Sequence, residues 1–211
     1  EYWDYAYKWA DYHKWQPLNG NTTHHADDQC CLQTYIDMYR LAGDPKMLQG
    51  ALTNINMMCA YPGCEDWWWI DAIQMAMPIY TKLYAVTKEQ KYLDKAWDLY
   101  AYTRNTLGDK GMYNEKEGLW WRDAGFDGDY QAPNGKNCYW SRGNGWVITA
   151  LAKGLQDVPA ADAHYKDYVK DLQTMAKALK ACQREDGFWN VSLHDPTNFG
   201  GKETSGTALF V

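Results

Sequence analysis

A weak internal repeat constrains what this chain can fold into more than any other feature of its sequence. Asp28 and Asp71 lie 43 residues apart, and each opens an apolar pattern of helical spacing that leads through a short turn into a second helix. The second helices begin with similar residues, Lys46-Met47-Leu48 and Lys91-Tyr92-Leu93. Helical hairpins that recur every roughly 40–50 residues are typical of solenoids and closed toroids. The repeat therefore predicts an all-α chain built from helical hairpins.

About eight helices are predicted from the spacing of apolar residues and the turn signals between them. Their expected ranges are 2–15, 28–41, 46–59, 67–86, 88–107, 142–155 and 161–183, with a last helix from about 204. Asp66 is the expected N-cap of the fourth helix, and Pro78 within that helix is expected to kink it. Residues 108–136 and 185–201 are rich in Gly, Asn and Asp, so we expect long loops there, the first with a small hairpin. Loops of this length are usually functional or mobile.

The composition restricts the partners that the chain can have. Its net charge is −6 and it has no run of Lys or Arg, which argues against nucleic acid and anionic membranes. No apolar stretch approaches the roughly 18 residues of a membrane span. The aromatic fraction is 16%, with 12 Trp and 17 Tyr but only 4 Phe. Because Tyr and Trp combine a flat ring with a polar atom, this bias suits a surface that stacks on a ligand and hydrogen-bonds to it. Part of the aromatic excess, notably in the helix 2–15, is expected to be ordinary core.

No metal or cofactor site is predicted. The six cysteines are too sparse for a disulfide scaffold and form no Cys-x-x-Cys pair, so we expect most of them to be small buried residues. His24 and His25 lie beside two acids, but no third ligand has suitable spacing. Ser205 lacks the Gly-x-Ser-x-Gly turn of a serine hydrolase. Gly143-Asn144-Gly145 lacks the strand and third glycine of a dinucleotide site.

Asp71 directly follows a tryptophan-rich segment, Trp67-Trp68-Trp69-Ile70. Burial among apolar rings disfavours the charged carboxylate and raises its pKa, which is what a general acid needs near neutral pH. The positive end of the helix acts weakly in the opposite direction. Spacing alone also allows a structural interpretation, in which Asp71 binds the backbone at the helix start. The residues alone leave both roles open.

Asp27 and Asp28 open the equivalent helix of the other hairpin. Asp28 shares a helical face with Leu32 and Tyr35, so it is expected to point toward the core. Both acids could instead cap the helix. The repeat makes Asp28 and Asp71 equivalent, so the two could converge on one opening. Most glycoside hydrolases use a pair of carboxylates in catalysis.

The segment Trp140-Ser141-Arg142-Gly143-Asn144-Gly145-Trp146 is the second strong feature. Arg142 and Trp146 are four residues apart and share a face if the helix has begun. An arginine beside tryptophan rings can bind a carboxylate and help to hold a sugar ring. The alternative is a helix start with an exposed arginine.

Six motifs together resemble one enzyme family. They are His25-Ala26-Asp27-Asp28, Trp67-Trp68-Trp69-Ile70-Asp71-Ala72, Trp120-Trp121-Arg122-Asp123, Tyr139-Trp140-Ser141-Arg142-Gly143-Asn144-Gly145-Trp146, Asp186-Gly187-Phe188-Trp189 and Glu203-Thr204-Ser205-Gly206-Thr207-Ala208. In this order, and over nearly the whole chain, they are similar to glycoside hydrolase family 105. These are the unsaturated rhamnogalacturonyl hydrolases, relatives of the unsaturated glucuronyl hydrolases of family 88. No single motif is specific, but the set is.

This resemblance implies a fold and a reaction. The fold would be an (α/α)6 barrel, six helical hairpins closed into a toroid, and residues 1–211 would be a single catalytic domain that stops short of the last helices. The substrate would be an oligosaccharide from rhamnogalacturonan, left by pectin degradation, with a 4,5-unsaturated galacturonic acid at its non-reducing end. An Asp would protonate C4 and activate a water that adds at C5. The unstable product would open and release the neighbouring sugar.

The resemblance also implies the catalytic acids. Asp71 would be the acid/base, and Asp28 would be the second acidic residue beside it, with Asp27 as the alternative register. The family often has a His upstream of the arginine motif, where this chain has Trp121-Arg122-Asp123. This departure leaves the preferred sugar substituent open.

The residues expected to bind substrate all lie within these motifs. They are Asp27, Trp69, Arg122, Trp140, Arg142, Trp146 and Trp189. Arg142 and Trp146 would hold the uronate carboxylate and ring. Trp69 and Trp140 would form stacking walls.

Two other functions are compatible with the same motifs. One is an unsaturated glucuronyl hydrolase that acts on glycosaminoglycan fragments. The other is a toroid that binds carbohydrate without turning it over. The sequence does not predict the sugar that is released, the oligomeric state, or whether a bacterial cell would hold the protein in its periplasm or cytoplasm.

Overall fold

The computed structural model describes all 211 residues, and most of them lie in helices. The helices are α1 (Tyr2–Tyr12), α2 (Ala26–Gln29), α3 (Leu32–Ala42), α4 (Lys46–Ala60), α5 (Asp71–Thr87), α6 (Lys91–Asn105), α7 (Ser141–Asp157), α8 (Tyr165–Ala181) and α9 (Thr204–Phe210), with a short 3-10 turn at Leu107–Asp109. The strands are β1 (Tyr113–Asn114), β2 (Leu119–Trp120), β3 (Trp189–Asn190) and β4 (Lys202–Glu203). They form two small antiparallel pairs, β1 with β2 and β3 with β4. The all-α prediction and the small hairpin within residues 108–136 are confirmed.

The helices alternate between an inner and an outer layer. The inner helices α3, α5, α7 and α9 each pack against the next one along the chain. The outer helices α4, α6 and α8 each pack against the inner helix that precedes them. The middle inner helix α5 buries ten of its 17 residues, whereas the outer helix α8 buries four of 17. This alternation is the arrangement of a hairpin toroid, as the repeat predicts.

The inner helices begin at one end of the molecule, because each hairpin returns the chain to that end. The connections that lead into α5, α7 and α9 span residues 61–70, 106–140 and 182–203. The turns at the opposite end are short, such as residues 43–45 and 88–90. The long connections therefore gather around the first residues of the inner helices, where a site can be built.

Pro78 lies inside α5, and a neighbouring helix compensates for it. A proline has no N–H to donate, so the carbonyl of Gln74, four residues earlier, loses its helical partner. The Gln33 side-chain Nε2 donates to this carbonyl at 2.8 Å and to the Met75 carbonyl at 2.9 Å. The free carbonyls of α5 are thus satisfied from α3.

Two predicted helix starts are wrong. The helix expected from Asp28 is divided into α2 and α3, with Cys30 and Cys31 between them. The helix expected from Trp67 begins only at Asp71, so Asp66 is not its N-cap. The physical reason is a tertiary contact: the Ile70 amide donates to the Arg122 carbonyl at 3.0 Å, which holds the tryptophan segment against the long loop.

Two expectations about burial also fail. The aromatic helix at the start of the chain was expected in the core, but only Ala10 of α1 is buried, and Tyr2, Tyr5 and Tyr12 are exposed. Of the six free cysteines only Cys138 is buried. The core lies instead along α3 to α7 and includes Trp67 and Trp120, both fully buried. None of the helices has the length and hydropathy that crossing a membrane requires.

Candidate active site

Asp71 is the first residue of α5 and is half-buried at the end where the inner helices begin. Burial raises the pKa of its carboxyl. The backbone amide and the positive charges of Arg122 and Arg142 act in the opposite direction, and Asp27 adds to the increase. The Oδ2 atom is buried and has no hydrogen-bond partner within the chain. The raised pKa therefore favours the protonated carboxyl, and its Oδ2 atom is not engaged by another group of the chain.

Asp27 and Asp28 are adjacent in α2, but they point in different directions. The Asp28 carboxylate is buried and accepts hydrogen bonds from Asn19 Nδ2 at 3.1 Å and Thr23 Oγ1 at 2.6 Å. The Asp27 side chain is 56% exposed, and its charge acts on Asp71. The two acids therefore have different surroundings: Asp28 is bonded to the loop before α2, and the charge of Asp27 acts on Asp71.

His24 and His25 turn to different partners. His24 Nδ1 lies 3.1 Å from Asp66 Oδ1, and burial raises the pKa of Asp66. His25 Nδ1 lies 3.7 Å from Asp27 Oδ2, and its ring packs at 5.1 Å from the Trp69 ring. No group of three or more His, Cys, Asp or Glu side chains is close enough to share a metal ion.

Arg142 is the second residue of α7, which begins at Ser141 after the N-cap residue Trp140. Its guanidinium stacks over the Trp140 ring at 4.1 Å. Trp146 follows one turn later and is half-buried, but Trp140 rather than Trp146 is the stacking partner of Arg142. The stacked arrangement holds a planar guanidinium in one orientation, which suits recognition of a carboxylate.

A cleft of about 400 Å³ lies beside these residues. Its lining combines two guanidinium groups with mainly apolar and aromatic side chains: Arg122, Phe126, Cys138, Trp140, Arg142, Val191, Ser192 and Phe199. Arg122 is paired with Asp123 at 2.9 Å, and Arg142 lies 4.0 Å from Glu203. Positive groups beside aromatic faces can hold an anionic sugar ring. The two arginines of this cleft are also those that act on the Asp71 carboxyl.

Two of the tryptophans expected to bind substrate do not line the cleft. Trp189 is buried, its Nε1 donates to the Leu179 carbonyl at 2.7 Å, and its ring packs edge-on against Phe210. It packs in the core and does not line the cleft. Trp69 is only 7% exposed, because it lies beneath Trp68, which is 48% exposed. Trp140 remains as the tryptophan that lines the cleft.

Glu203 is a residue near the site to which the sequence argument gave no role. It caps α9 and accepts hydrogen bonds from the amides of Ser205 and Gly206 and from Ser141 Oγ at 3.3 Å. Burial acts to raise the pKa of Glu203, but these hydrogen bonds outweigh it and hold the pKa below its usual value. An acid just before a Thr-Ser-Gly helix start could have suggested a cap, although not its position beside Arg142.

The Asn144 side chain links the start of α7 to the long loop. Its side chain accepts from the Trp120 amide and donates to the Trp120 carbonyl, both at 2.9 Å, and it also donates to the Trp140 carbonyl at 3.0 Å. The buried amide therefore fixes β2 against the start of α7. This explains why the long loop and Arg142 share one site.

An arc of helical hairpins whose inner helices open around an acid and two arginines belongs to the class of six-hairpin toroid glycosidases. Within this class, the model of Glycosyl Hydrolase Family 88 matches residues 1–211. The chain belongs to this family.

Three curated relatives are similar to the chain. The unsaturated 3S-rhamnoglycuronyl hydrolase of Formosa agariphila is 36% identical over 68% of this chain and 38% of its own length. The protein of the same name from an Alteromonas species is 28% identical over 88% of this chain and 49% of its own length. An unsaturated rhamnogalacturonyl hydrolase of Bacillus subtilis is 25% identical over 82% and 48%. The chain spans less than half the length of each of these relatives.

Solved structures show the same fold. A family 88 glycosyl hydrolase from Bacteroides vulgatus superposes with a TM-score of 0.91 at 36% identity, covering 99% of this chain and 63% of that protein. A protein described as a polysaccharide lyase gives 0.92 at 34% identity, covering 99% and 62%. A family 105 glycoside hydrolase of C. acetobutylicum, at 20% identity and a TM-score of 0.72, covers 89% and 55% and shares the fold.

Proposed function

We propose that this chain carries the active site of a glycosidase that removes a 4,5-unsaturated uronic acid from the non-reducing end of an oligosaccharide. The observation that supports this most directly is Asp71. Its carboxyl has a burial-raised pKa and a free, buried oxygen, and it lies beside the arginines of an aromatic cleft. A raised pKa favours the protonated carboxyl that general acid catalysis requires.

The proposed reaction is hydration of the double bond. Asp71 donates its proton to C4 of the unsaturated ring, and a water molecule adds its oxygen to C5. The proton lost by that water returns to Asp71, so the acid is regenerated. The hemiketal formed at C5 is unstable, opens, and releases the sugar attached to the uronic acid. No bond at the anomeric carbon has to be displaced directly.

The arginines supply the charge that binds the substrate. Arg142, held by stacking on Trp140, is proposed to bind the uronate carboxylate, because a planar guanidinium can donate two parallel hydrogen bonds to it. Arg122 lines the same cleft and is half-exposed, so it is available to the substrate. When the carboxylate neutralises these charges, their lowering effect on the pKa of Asp71 weakens. Substrate binding then favours the protonated acid.

Asp27 is proposed as the second acid, because its charge acts on Asp71 and its side chain is open to solvent. A negative charge there raises the pKa of Asp71 further and offers an acceptor for the attacking water. Asp28 is left with a structural role, since its oxygens accept hydrogen bonds from Asn19 and Thr23.

Two substrates follow from the relatives. The resemblance of the motifs favours unsaturated galacturonic acid on rhamnogalacturonan fragments, as in the name of the Bacillus relative. The two relatives named 3S-rhamnoglycuronyl hydrolases have higher identities and favour that fragment instead. Both substrates carry the same unsaturated acid, so the proposed chemistry is common to them.

A second candidate is a polysaccharide lyase, because one of the most similar solved structures is described as such. A lyase abstracts the proton at C5 and breaks the bond between C4 and its oxygen, which creates the double bond. The hydrolase consumes that double bond. The two reactions therefore change the ultraviolet absorbance of the double bond in opposite directions.

The test incubates the protein with unsaturated rhamnogalacturonan disaccharide, the unsaturated 3S-rhamnoglycuronyl fragment, and the intact polysaccharides. We expect a loss of ultraviolet absorbance on at least one unsaturated fragment. A rise in absorbance on intact polysaccharide would support the lyase. Binding without any absorbance change would indicate a carbohydrate-binding protein and would overturn the proposed reaction.

A further inference from the structure

A second cavity, of about 430 Å³, takes no part in the reaction proposed above. Its lining consists of five polar side chains and one glycine: Glu117, Gln131, Gly135, Lys136, Asn137 and His194. They come from the connections 106–140 and 182–203, which lead into α7 and α9. The cavity therefore lies at the end of the molecule where α5 begins with Asp71.

A single wall separates this cavity from the cleft. Cys138 and Ser192 line the cleft, whereas their near neighbours Asn137 and His194 line the cavity. The two segments are joined through a contact of 3.7 Å between Cys138 Sγ and Ser192 Oγ. The cleft and the cavity therefore adjoin along these two segments.

Part of the cavity is fixed by internal hydrogen bonds. The Glu117 carboxylate accepts from Asn137 Nδ2 at 2.7 Å and lies 3.3 Å from His194 Nδ1. The His194 ring packs edge-on against Tyr139 at 5.2 Å. The side chains of Gln131 and Lys136 are exposed and make no hydrogen bond or ion pair within the chain. They are free to contact a ligand.

The groups in the cavity suit an uncharged, hydroxyl-rich ligand. Each sugar hydroxyl donates one hydrogen bond and accepts up to two, and the cavity offers carboxylate and amide acceptors beside amide and ammonium donors. The positive Lys136 offsets the negative Glu117. Burial holds the pKa of His194 below its usual value, so the ring is neutral at pH 7. The cavity has no surplus positive charge to bind a sulfate or carboxylate.

We propose that this cavity binds a neutral sugar unit of the oligosaccharide, further along the chain than the two sugars that flank the bond to be broken. The inference rests on the proposed function for the direction of the chain, since the unsaturated ring is placed in the cleft. It makes the cavity a determinant of substrate length rather than of the reaction.

The test compares kcat/KM on an unsaturated disaccharide and an unsaturated tetrasaccharide of the same backbone. The variants are Gln131→Ala with Lys136→Ala, which remove only free side chains, and Glu117→Gln. We expect a loss of about five- to tenfold on the tetrasaccharide, the effect of one or two hydrogen bonds. The disaccharide is expected to change by less than about twofold. Glu115→Gln, the same change on the same hairpin turn outside the cavity, is the matched control and is expected to alter neither substrate.

Calorimetric binding of a saturated tetrasaccharide separates the two proposals. Weaker binding by the variants in a protein that hydrolyses nothing would uphold the cavity and reject the reaction. The cavity inference alone would be overturned if the wild type hydrolyses both substrates and the variants lower kcat/KM equally on the two. It would also be overturned if the variants leave kcat/KM on the tetrasaccharide unchanged. Absence of tetrasaccharide binding to the wild type would also overturn it. The double variant of Gln131 and Lys136 breaks no internal contact, so a change in its folding does not obscure the result.

Discussion

At the scale of single residues, two neighbouring acids have opposite surroundings, although a helix start gives them the same local pattern. Asp28 is buried with two hydrogen-bond donors, and Asp27 is exposed beside the Asp71 site. The sequence indicated that acids of this segment and Asp71 belong together. It could not distinguish Asp27 from Asp28, because the donors Asn19 and Thr23 come from a loop whose path is set by tertiary packing.

This difference predicts separable effects for Asp27→Ala and Asp28→Ala. Asp28→Ala removes the buried acceptor of the Asn19 and Thr23 side chains, so it is expected to lower the free energy of unfolding by about 1–3 kcal/mol. Asp27→Ala is expected to change stability by less than about 0.5 kcal/mol but to lower kcat. Urea unfolding and turnover of the same two proteins check this. Equal stability losses would contradict the assignment of Asp28 as the structural acid.

The raised pKa of Asp71 predicts how stability depends on pH. A carboxyl whose pKa is raised by folding favours the folded state when protonated, and this contribution is lost as the pH rises through the folded-state pKa. At pH 7 the ionised, half-buried group therefore opposes folding, mainly because of burial. Asp71→Asn is expected to raise the Tm at pH 7 by roughly 2 °C.

Thermal unfolding of wild type and Asp71→Asn at several pH values checks this sign. The gain in Tm is expected to shrink as the pH falls toward about 4, where the free carboxyl is also protonated. If Asp71→Asn lowers the Tm relative to wild type more at pH 7 than at pH 4, the arginines outweigh burial in their effect on the pKa of Asp71.

At the scale of the elements, the hairpins were predictable and their junctions were not. Local apolar spacing and turn residues predict the presence of α3 to α8, and all six helices are found, although the starts of α3 and α5 were misplaced. The start of α5 at Asp71 depends on the pairing of Ile70 with the loop residue Arg122, a contact between segments far apart in sequence. The same limit applies to Trp189, whose position in the core depends on α8 and α9.

Gln33 gives a test of how two inner helices support each other. Gln33→Leu removes the donor that serves the carbonyls of α5 next to Pro78. We expect a loss of about 1–3 kcal/mol in the free energy of unfolding, because the Gln74 carbonyl, which Pro78 leaves without a helical partner, loses its donor. Pairing the change with Pro78→Ala, which restores the helical N–H, is expected to recover part of it. Additive losses in a double-mutant cycle would contradict this coupling.

Glu203 connects α9 to the start of α7 and lies beside the guanidinium of Arg142. Glu203→Gln keeps the side-chain shape but removes the charge that faces Arg142. We expect KM to rise by about three- to tenfold while kcat changes little, because positioning rather than proton transfer is affected. Steady-state kinetics with Thr207→Ser as a conservative change on the same helix check this. A fall in kcat with unchanged KM would contradict a positioning role.

At the scale of the whole molecule, the long connections and the inner helix starts meet at one end, and the site follows from that arrangement. The class of fold was predictable from the hairpin repeat, since the repeat requires each unit to bury its face against the next. The exposure of α1 was not, because an aromatic helix looks like core until its neighbours are known. The aromatic bias likewise indicated a stacking surface, and Trp140 and Phe126 are among the aromatic rings that line the cleft.

The most direct test of the central claim is the rate at which the double-bond absorbance of an unsaturated uronyl disaccharide is lost, in wild type and Asp71→Asn. Proton donation by this carboxyl predicts loss of nearly all turnover, about 10³-fold or more, in a variant that remains folded. Circular dichroism and thermal unfolding establish the fold of the variant. A folded Asp71→Asn protein that retains a tenth or more of the wild-type rate, which is a rise in the activation free energy of about 1.4 kcal/mol or less, would contradict the account.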